Sequence, residues 1–295
     1  MNRKELRNFV TGMAFIGPNL LGVFIFILFP IVFSLVLSFS ERDLQNGLGG
    51  LKFVGLEHFR NLTADIRFIE SLRNNFVFVA FAVPLKIGLA LMVALVLNNR
   101  VFFKNGLRAM YFIPYISNIV AVCAVWMMLF QPTYGPVNGW LMSLGVEHPP
   151  GWLNSSRWAL PLIIVLHTWI FLGYNMVIYL AGLQNVPAEL KEAARIDGAK
   201  DWSVFRYVTW PLLAPTTFFL LVINVIHSFK VFAPVNIMTD GGPGTSTTVL
   251  IYYIYISAFR FFELGYASAI AWVLFAIVFA VTYLQWLGQR KLDFI

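Results

Sequence analysis

Tyr115, Asn118, Trp169, Asn224, His227 and Ser228 are hydrogen-bonding or aromatic side chains set near the centres of long apolar stretches. Such groups are costly in hydrocarbon without a partner, so each should face the interior of a bundle or a path for solute. Positions 224, 227 and 228 share one face of a helix. Two readings fit these residues. They are interhelical hydrogen bonds, worth ~0.6 kcal/mol each on average. Alternatively, amides and hydroxyls bind the hydroxyls of a solute while Tyr115 or Trp169 packs on its apolar face. Lys86 puts a charge inside an apolar stretch, facing either a water-filled cavity or an acidic group on another subunit. His167 and His227 are isolated and read as hydrogen-bonded structural groups rather than metal ligands or proton carriers.

No catalytic cluster accompanies them. His-Glu-x-x-His and Gly-x-Ser-x-Gly are absent, as is the Gly-x-x-x-x-Gly-Lys-[Ser/Thr] phosphate loop, and no cofactor or metal site is expected. Gly241-Gly-Pro-Gly244 is glycine-rich, but no lysine follows at phosphate-loop spacing, and it reads as a tight turn. The one cysteine, Cys123, lies in an apolar run, which excludes an intrachain disulfide and a cysteine-based metal site.

The elements that must position these residues are membrane helices. Of 295 residues, 59% are hydrophobic and only 12% charged, with mean hydropathy +0.74. That is about half the charge of a soluble domain, too little to cover a surface in water. The net charge of +7 fits basic inner loops of a membrane protein rather than nucleic-acid binding. A span needs about 20 mostly apolar residues. Six stretches meet this: 12–38, 74–97, 107–130, 158–183, 210–236 and 264–287. The whole chain, 1–295, therefore reads as a single all-α transmembrane domain. The segment 248–262 is apolar but short, and reads as an outer-edge or partly inserted helix rather than a seventh span. With the N-terminus inside, the inner segments hold twelve Lys and Arg, including Arg100, Arg290 and Lys291, against seven outside. The bias places both termini in the cytoplasm.

Between spans four and five, residues 185–211 carry capping signals at both ends of a short helix. Pro187 and Glu189 suit its start, Leu190, Ala193 and Ala194 form one apolar face, and Gly198 can end it in the left-handed conformation. Asp201 can then N-cap a second helix running toward Pro211. On residue chemistry alone this is either a solvated connector or a docking element whose small residues admit a partner closely.

Here the chain resembles a known family. Glu192-Ala193-Ala194, followed after three residues by Gly198 and after nine more by Val208-Thr-Trp-Pro211, is similar to the "EAA" loop of binding-protein-dependent ABC importer permeases. Val208 and Trp210 depart from the usual Ile-x-Leu-Pro ending, and both remain apolar. Phe53-Val-Gly-Leu56, Ile113-Pro-Tyr115, Met238-Thr-Asp-Gly-Gly-Pro-Gly244 and Leu264-Gly-Tyr-Ala-Ser-Ala269 look like recurring features of its carbohydrate-uptake members, of maltose and glycerol-phosphate type. The resemblance implies a multi-pass subunit of a bacterial or archaeal cytoplasmic membrane, not itself an enzyme. Its implied partners are a homologous second permease subunit, two ATP-binding cassette ATPase subunits and an extracytoplasmic solute-binding protein. It assigns ATPase coupling to Glu192, Ala193, Ala194, Asp197 and Gly198. Positions matching Tyr115, Asn224 and Ser228 line the sugar site in maltose-type permeases, whereas Ile119 and Val231 are apolar where that permease is polar. A secondary transporter or channel not driven by ATP is the alternative. It predicts intramembrane carboxylates for proton coupling, and none of the six stretches contains Asp or Glu.

Overall fold

The computed structural model describes residues 3–42, 50–99 and 102–289. Arg100, Arg290 and Lys291, on which part of the charge count rests, lie outside the described residues. The chain forms two compact units. One runs to Asp65 and takes in Ile254–Leu274; the other comprises Ile66–Tyr253 and continues from Phe275.

The first unit opens with α1 (Arg3–Val23) and α2 (Phe29–Ser38), joined by a π turn at Phe24–Leu28. Pro30 lacks an N–H for the preceding turn, and the π turn adjusts the ladder ahead of it, with the Phe29 N–H reaching the Phe24 carbonyl. Only 6% of the apolar window of this segment, Thr11–Ser38, is buried. A short hairpin follows, β1 (Ser40–Arg42) against β2 (Leu51–Phe53), antiparallel with Ser40 opposite Phe53. Helix α3 (Glu57–Leu62) returns His58, whose Nε2 lies 3.2 Å from the Ser40 carbonyl. Gly265 sits against that same carbonyl, where a Cβ would come within 2.2 Å. The Tyr266 hydroxyl donates to Asp65.

The second unit is the bundle that positions the polar residues. Its axis is α4 (Ile66–Asn98), which starts eight residues before the expected 74 and so takes in Glu70 and Arg73. Helices α5 (Lys104–Ile116) and α6 (Ile119–Leu129) follow where a single span at 107–130 is expected, and they bend by 98°. The reason is local chemistry. The Ser117 hydroxyl donates to the Ile113 carbonyl at 2.7 Å and closes α5, while Asn118 Oδ1 accepts from the Val120 N–H at 2.9 Å and opens α6. Then come α7 (Pro136–Ser143), α8 (Ala159–Gln184), α9 (Ala188–Ile196), α10 (Asp201–Val204) and α11 (Trp210–Leu212). A second π turn, Phe205–Thr209, stands ahead of Pro211 as the first stands ahead of Pro30. Helices α12 (Ala214–Phe229) and α13 (Ala233–Met238) share the fifth span, interrupted between them. Helix α14 (Leu250–Tyr255) continues as a π turn through Arg260, too short to cross a bilayer, and α15 (Leu264–Gln289) is the last span. Among the described residues, five helices are thus long and apolar enough to cross a membrane, or six if the bent α5–α6 pair counts as one span.

Helix α8 is the most enclosed, with 61% of its apolar window buried. Its inner face packs Met176, Tyr179, Leu180 and Leu183 against Ala90, Ala94 and Leu97 of α4 and Leu220 of α12. Small residues permit this closeness: a Cβ on Gly173 would fall 2.0 Å from the Tyr111 carbonyl of α5. The segment after α13 is tied to the start of α4. Asn74 Nδ2 donates to the carbonyls of Thr245 and Thr248, and Thr245 donates to Glu70. Asn75 bridges two elements, accepting from the Leu250 N–H at 2.7 Å and donating to the Phe229 carbonyl at 3.3 Å.

Asn75→Leu leaves both backbone groups buried and unpaired, at ~1–3 kcal/mol each. The thermal unfolding midpoint of the purified protein in detergent should fall. An unchanged midpoint would show that these bonds do not anchor the segment.

Candidate functional site

The two helix interruptions converge on one cavity of about 390 Å³. Ser117 and Ile119 come from the α5–α6 break, and Lys230, Val231, Phe232, Ala233 and Pro234 from the α12–α13 break. Tyr115 of α5, His227 of α12, and His167, Ile170 and Phe171 of α8 complete the lining. Irregular backbone within an apolar bundle is tolerated where it lines a cavity, and transporters place binding sites at such discontinuous helices.

Phe171 is the centre of the lining. Its ring lies 5.6 Å from Tyr115, 5.2 Å from His227 and 4.6 Å from His167, centroid to centroid. Tyr115 also stacks on Tyr174 at 4.9 Å. The result is an aromatic platform with polar edges, suited to a solute that has an apolar face and a hydroxyl rim. His167 is 95% enclosed, and its Nδ1 has no hydrogen-bond partner, contrary to the expectation of a hydrogen-bonded structural histidine.

The six candidate path residues separate into three groups. Tyr115 and His227 line the cavity. Asn224 and Ser228 turn inward, although they share a helical face with His227. Asn224 Nδ2 donates to Asn175 Oδ1 at 2.7 Å and to the Leu220 carbonyl at 2.8 Å, and Asn175 Nδ2 donates back to Asn224 Oδ1 at 3.3 Å. This reciprocal amide pair joins α8 to α12. Ser228 is fully buried and accepts from Lys86 Nζ at 3.0 Å. Lys86 itself is fully buried, facing neither open water nor the surface, with its ammonium 4.8 Å from the Phe171 ring centroid. Asn118 and Trp169 form the third group. Asn118 is exposed and caps α6, and Trp169 is 41% exposed on another face of α8, against Trp126 at 5.8 Å. Phe171, Asn175 and Lys230 are not among the residues that the sequence marks as candidates. Asn175 carried a usable signal, a lone amide in an apolar helix, whereas Phe171 was one phenylalanine among 29.

The loop after α8 forms the expected short helix. Pro187 precedes α9, Asp197 stands at its C-terminal end and Gly198 follows at φ +84°. The Ala199 N–H bonds the Ala194 carbonyl at 2.9 Å and the Gly198 N–H bonds that of Arg195 at 3.0 Å, a Schellman closure. Asp201 does not cap α10. It begins that helix and pairs instead with Arg195 at 3.0 Å, an exposed bridge that adds little stability. No residue of α9 is buried; Glu192, Ala193, Asp197 and Gly198 are exposed and Ala194 is half-buried. Ile196, Trp202 and Tyr207 are 86%, 70% and 77% exposed, apolar side chains left uncovered among the described residues.

Comparison with known proteins agrees with this architecture. Residues 86–293 match the family described as binding-protein-dependent transport system inner membrane component. The lactose transport system permease protein LacF of Rhizobium radiobacter is 37% identical, the match covering 98% of each chain. The sn-glycerol-3-phosphate transport system permease protein UgpA of Agrobacterium fabrum is 32% identical, covering 94% of this chain and 93% of its own. In fold, the chain matches a subunit of a bacterial alginate ABC transporter solved in complex with an alginate pentasaccharide-bound periplasmic protein. The TM-score is 0.82 at 22% identity, covering 96% of this chain and 94% of that one. Apolar helices, two interruptions at a shared cavity, and a family match over residues 86–293 place this chain in the family of binding-protein-dependent transport system inner membrane components.

Proposed function

We propose that the chain is the permease subunit of an ATP-driven importer that carries a sugar or sugar-like solute across the cytoplasmic membrane. The observation that carries this is the cavity where the α5–α6 and α12–α13 interruptions meet beside the Phe171–Tyr115 platform. Aromatic faces pack on the apolar faces of sugar rings, and free backbone groups at helix breaks supply hydrogen bonds to hydroxyls. The lactose and glycerol-phosphate relatives support the solute class.

The chain holds no phosphate loop, so energy must come from separate ATPase subunits. The loop 185–211 is the coupling element in this reading. Helix α9 is closed by its Schellman motif yet has no fully buried residue, and Ile196 at its end with the nearby Trp202 and Tyr207 offer the apolar anchors that a docking site uses. Glu192, Ala193, Ala194, Asp197 and Gly198 belong to the docking surface. A second permease subunit, two ATPase subunits and an extracytoplasmic binding protein complete the assembly, with both termini of this chain in the cytoplasm.

Two sets of substitutions test the reading. Gly198→Val meets no steric neighbour, so its effect is confined to the backbone, whose φ of +84° disfavours a branched side chain. Ala193→Asp adds charge to the exposed face. Both should abolish uptake or detach the ATPase while leaving membrane insertion intact, and normal transport with either would refute docking through this loop. In the cavity, Tyr115→Ala should raise the solute concentration needed for half-maximal uptake by roughly five- to a hundredfold, corresponding to ~1–3 kcal/mol of lost contact. Asn224→Leu should instead lower thermal stability, because it breaks the pair with Asn175. Uptake parameters unchanged by Tyr115→Ala would remove the platform from the path.

A further inference from the structure

The cavity has a charge character that its aromatic lining does not explain. The ionisable side chains that line it, apart from the Tyr115 phenol, are His167, His227 and Lys230, and no Asp or Glu is among the lining residues. Directly behind Phe171 lies Lys86, fully buried, its ammonium donating to the neutral Ser228 hydroxyl and resting over the Phe171 ring. No carboxylate among the described residues pairs with it. A buried lysine amine held only by a hydroxyl and a ring is poorly compensated whenever it is protonated, and a lysine inside a span is otherwise rare. His167 adds an enclosed Nδ1 with no partner, on the same cavity wall.

We propose that the solute carries a negative charge, a carboxylate or phosphate on a carbohydrate, and that this basic wall selects it. The inference rests on the cavity being the solute path. His227 and Lys230 are exposed and can contact the anion directly, and His167 stands in the cavity wall beside them. Lys86 does not line the cavity. It acts as a positioning residue through the field it projects across Phe171 in a medium of low dielectric. A neutral sugar would gain from the platform but not from the four basic groups. An anionic one supplies the counter-charge that the bundle omits, in a place where water is scarce and charge-assisted hydrogen bonds are strong.

The test is equilibrium binding to the assembled transporter in lipid nanodiscs, without its binding protein, so that only the membrane subunits select. The probes are digalacturonate, its neutral dimethyl ester, glucose 6-phosphate and glucose. At least one anionic probe should bind about tenfold or more tightly than its neutral counterpart, and which one does so separates carboxylate from phosphate. Lys86→Met should reduce that preference by about tenfold with little change for the neutral probe. His227→Gln and Lys230→Gln, at exposed positions with little effect on folding, should reduce it in the same direction. If neither anionic probe is preferred, including the case in which none binds, the proposal is overturned. It is also overturned if Lys86→Met dissociates the subunits while the two exposed variants leave the preference intact, since the counter-charge then belongs to a partner permease. An anionic preference unchanged by Lys86→Met, His227→Gln and Lys230→Gln, with binding lost on Tyr115→Ala, would refute the charge selection and keep the path. Binding of every probe unaffected by Tyr115→Ala and Phe171→Ala would refute the path itself.

Discussion

A polypeptide in hydrocarbon must satisfy its backbone polar groups from within, and the bundle is organised by where that rule is relaxed. Most of α4, α8 and α15 obeys it as unbroken helix. At Ser117–Asn118 and at Lys230–Phe232 the ladder stops. The first break is stitched by side chains, Ser117 closing one helix and Asn118 opening the next. Both breaks face the same cavity. Irregular backbone of this kind is stable only beside protein or water, so the interruptions and the cavity imply each other.

The polar side chains divide between holding the bundle and serving the cavity. The Asn175–Asn224 pair and the Lys86–Ser228 bond lie between packed helices, where each group is costly unless partnered. Asn75 ties the segment after α13 to α4 in the same manner. With these seams fixed, α8 presents His167 and Phe171, α5 presents Tyr115 and α12 presents His227 to one space. At the far end of α8, the chain leaves the bundle and builds a capped helix with no fully buried residue, so the same element that supports the platform also leads into the exposed loop.

Much of this was legible in the sequence. Apolar stretches of about 20 residues located five spans within a few residues of their observed bounds, apart from the eight-residue extension of α4. Gly198 and Pro187 marked the ends of α9, because a left-handed residue and a fixed φ are local requirements. The bend at 117–118 was missed because a run of apolar residues reads as continuous, although Pro114, Ser117 and Asn118 stood within it. Helical periodicity placed 224, 227 and 228 on one face and could go no further. Whether a side chain on that face meets a helix or a cavity depends on α4 and α8, which are distant in sequence. Phe171 was invisible for the same reason: its role comes from four neighbours on three other elements and on its own helix.

Solute passage through the space between the two interruptions can be tested at Ser117. Ser117 lines it, is exposed, and can be replaced by cysteine with little change of volume. Native Cys123 is fully buried and can be replaced by alanine to give a single reactive thiol. The rate at which a membrane-impermeant thiol reagent labels Ser117→Cys should be measured in the reconstituted importer, with and without the carbohydrate that it takes up. If solute takes this route, labelling proceeds from the aqueous side and is slowed by that carbohydrate during turnover. Labelling at the same rate whether or not the carbohydrate is being transported would contradict it.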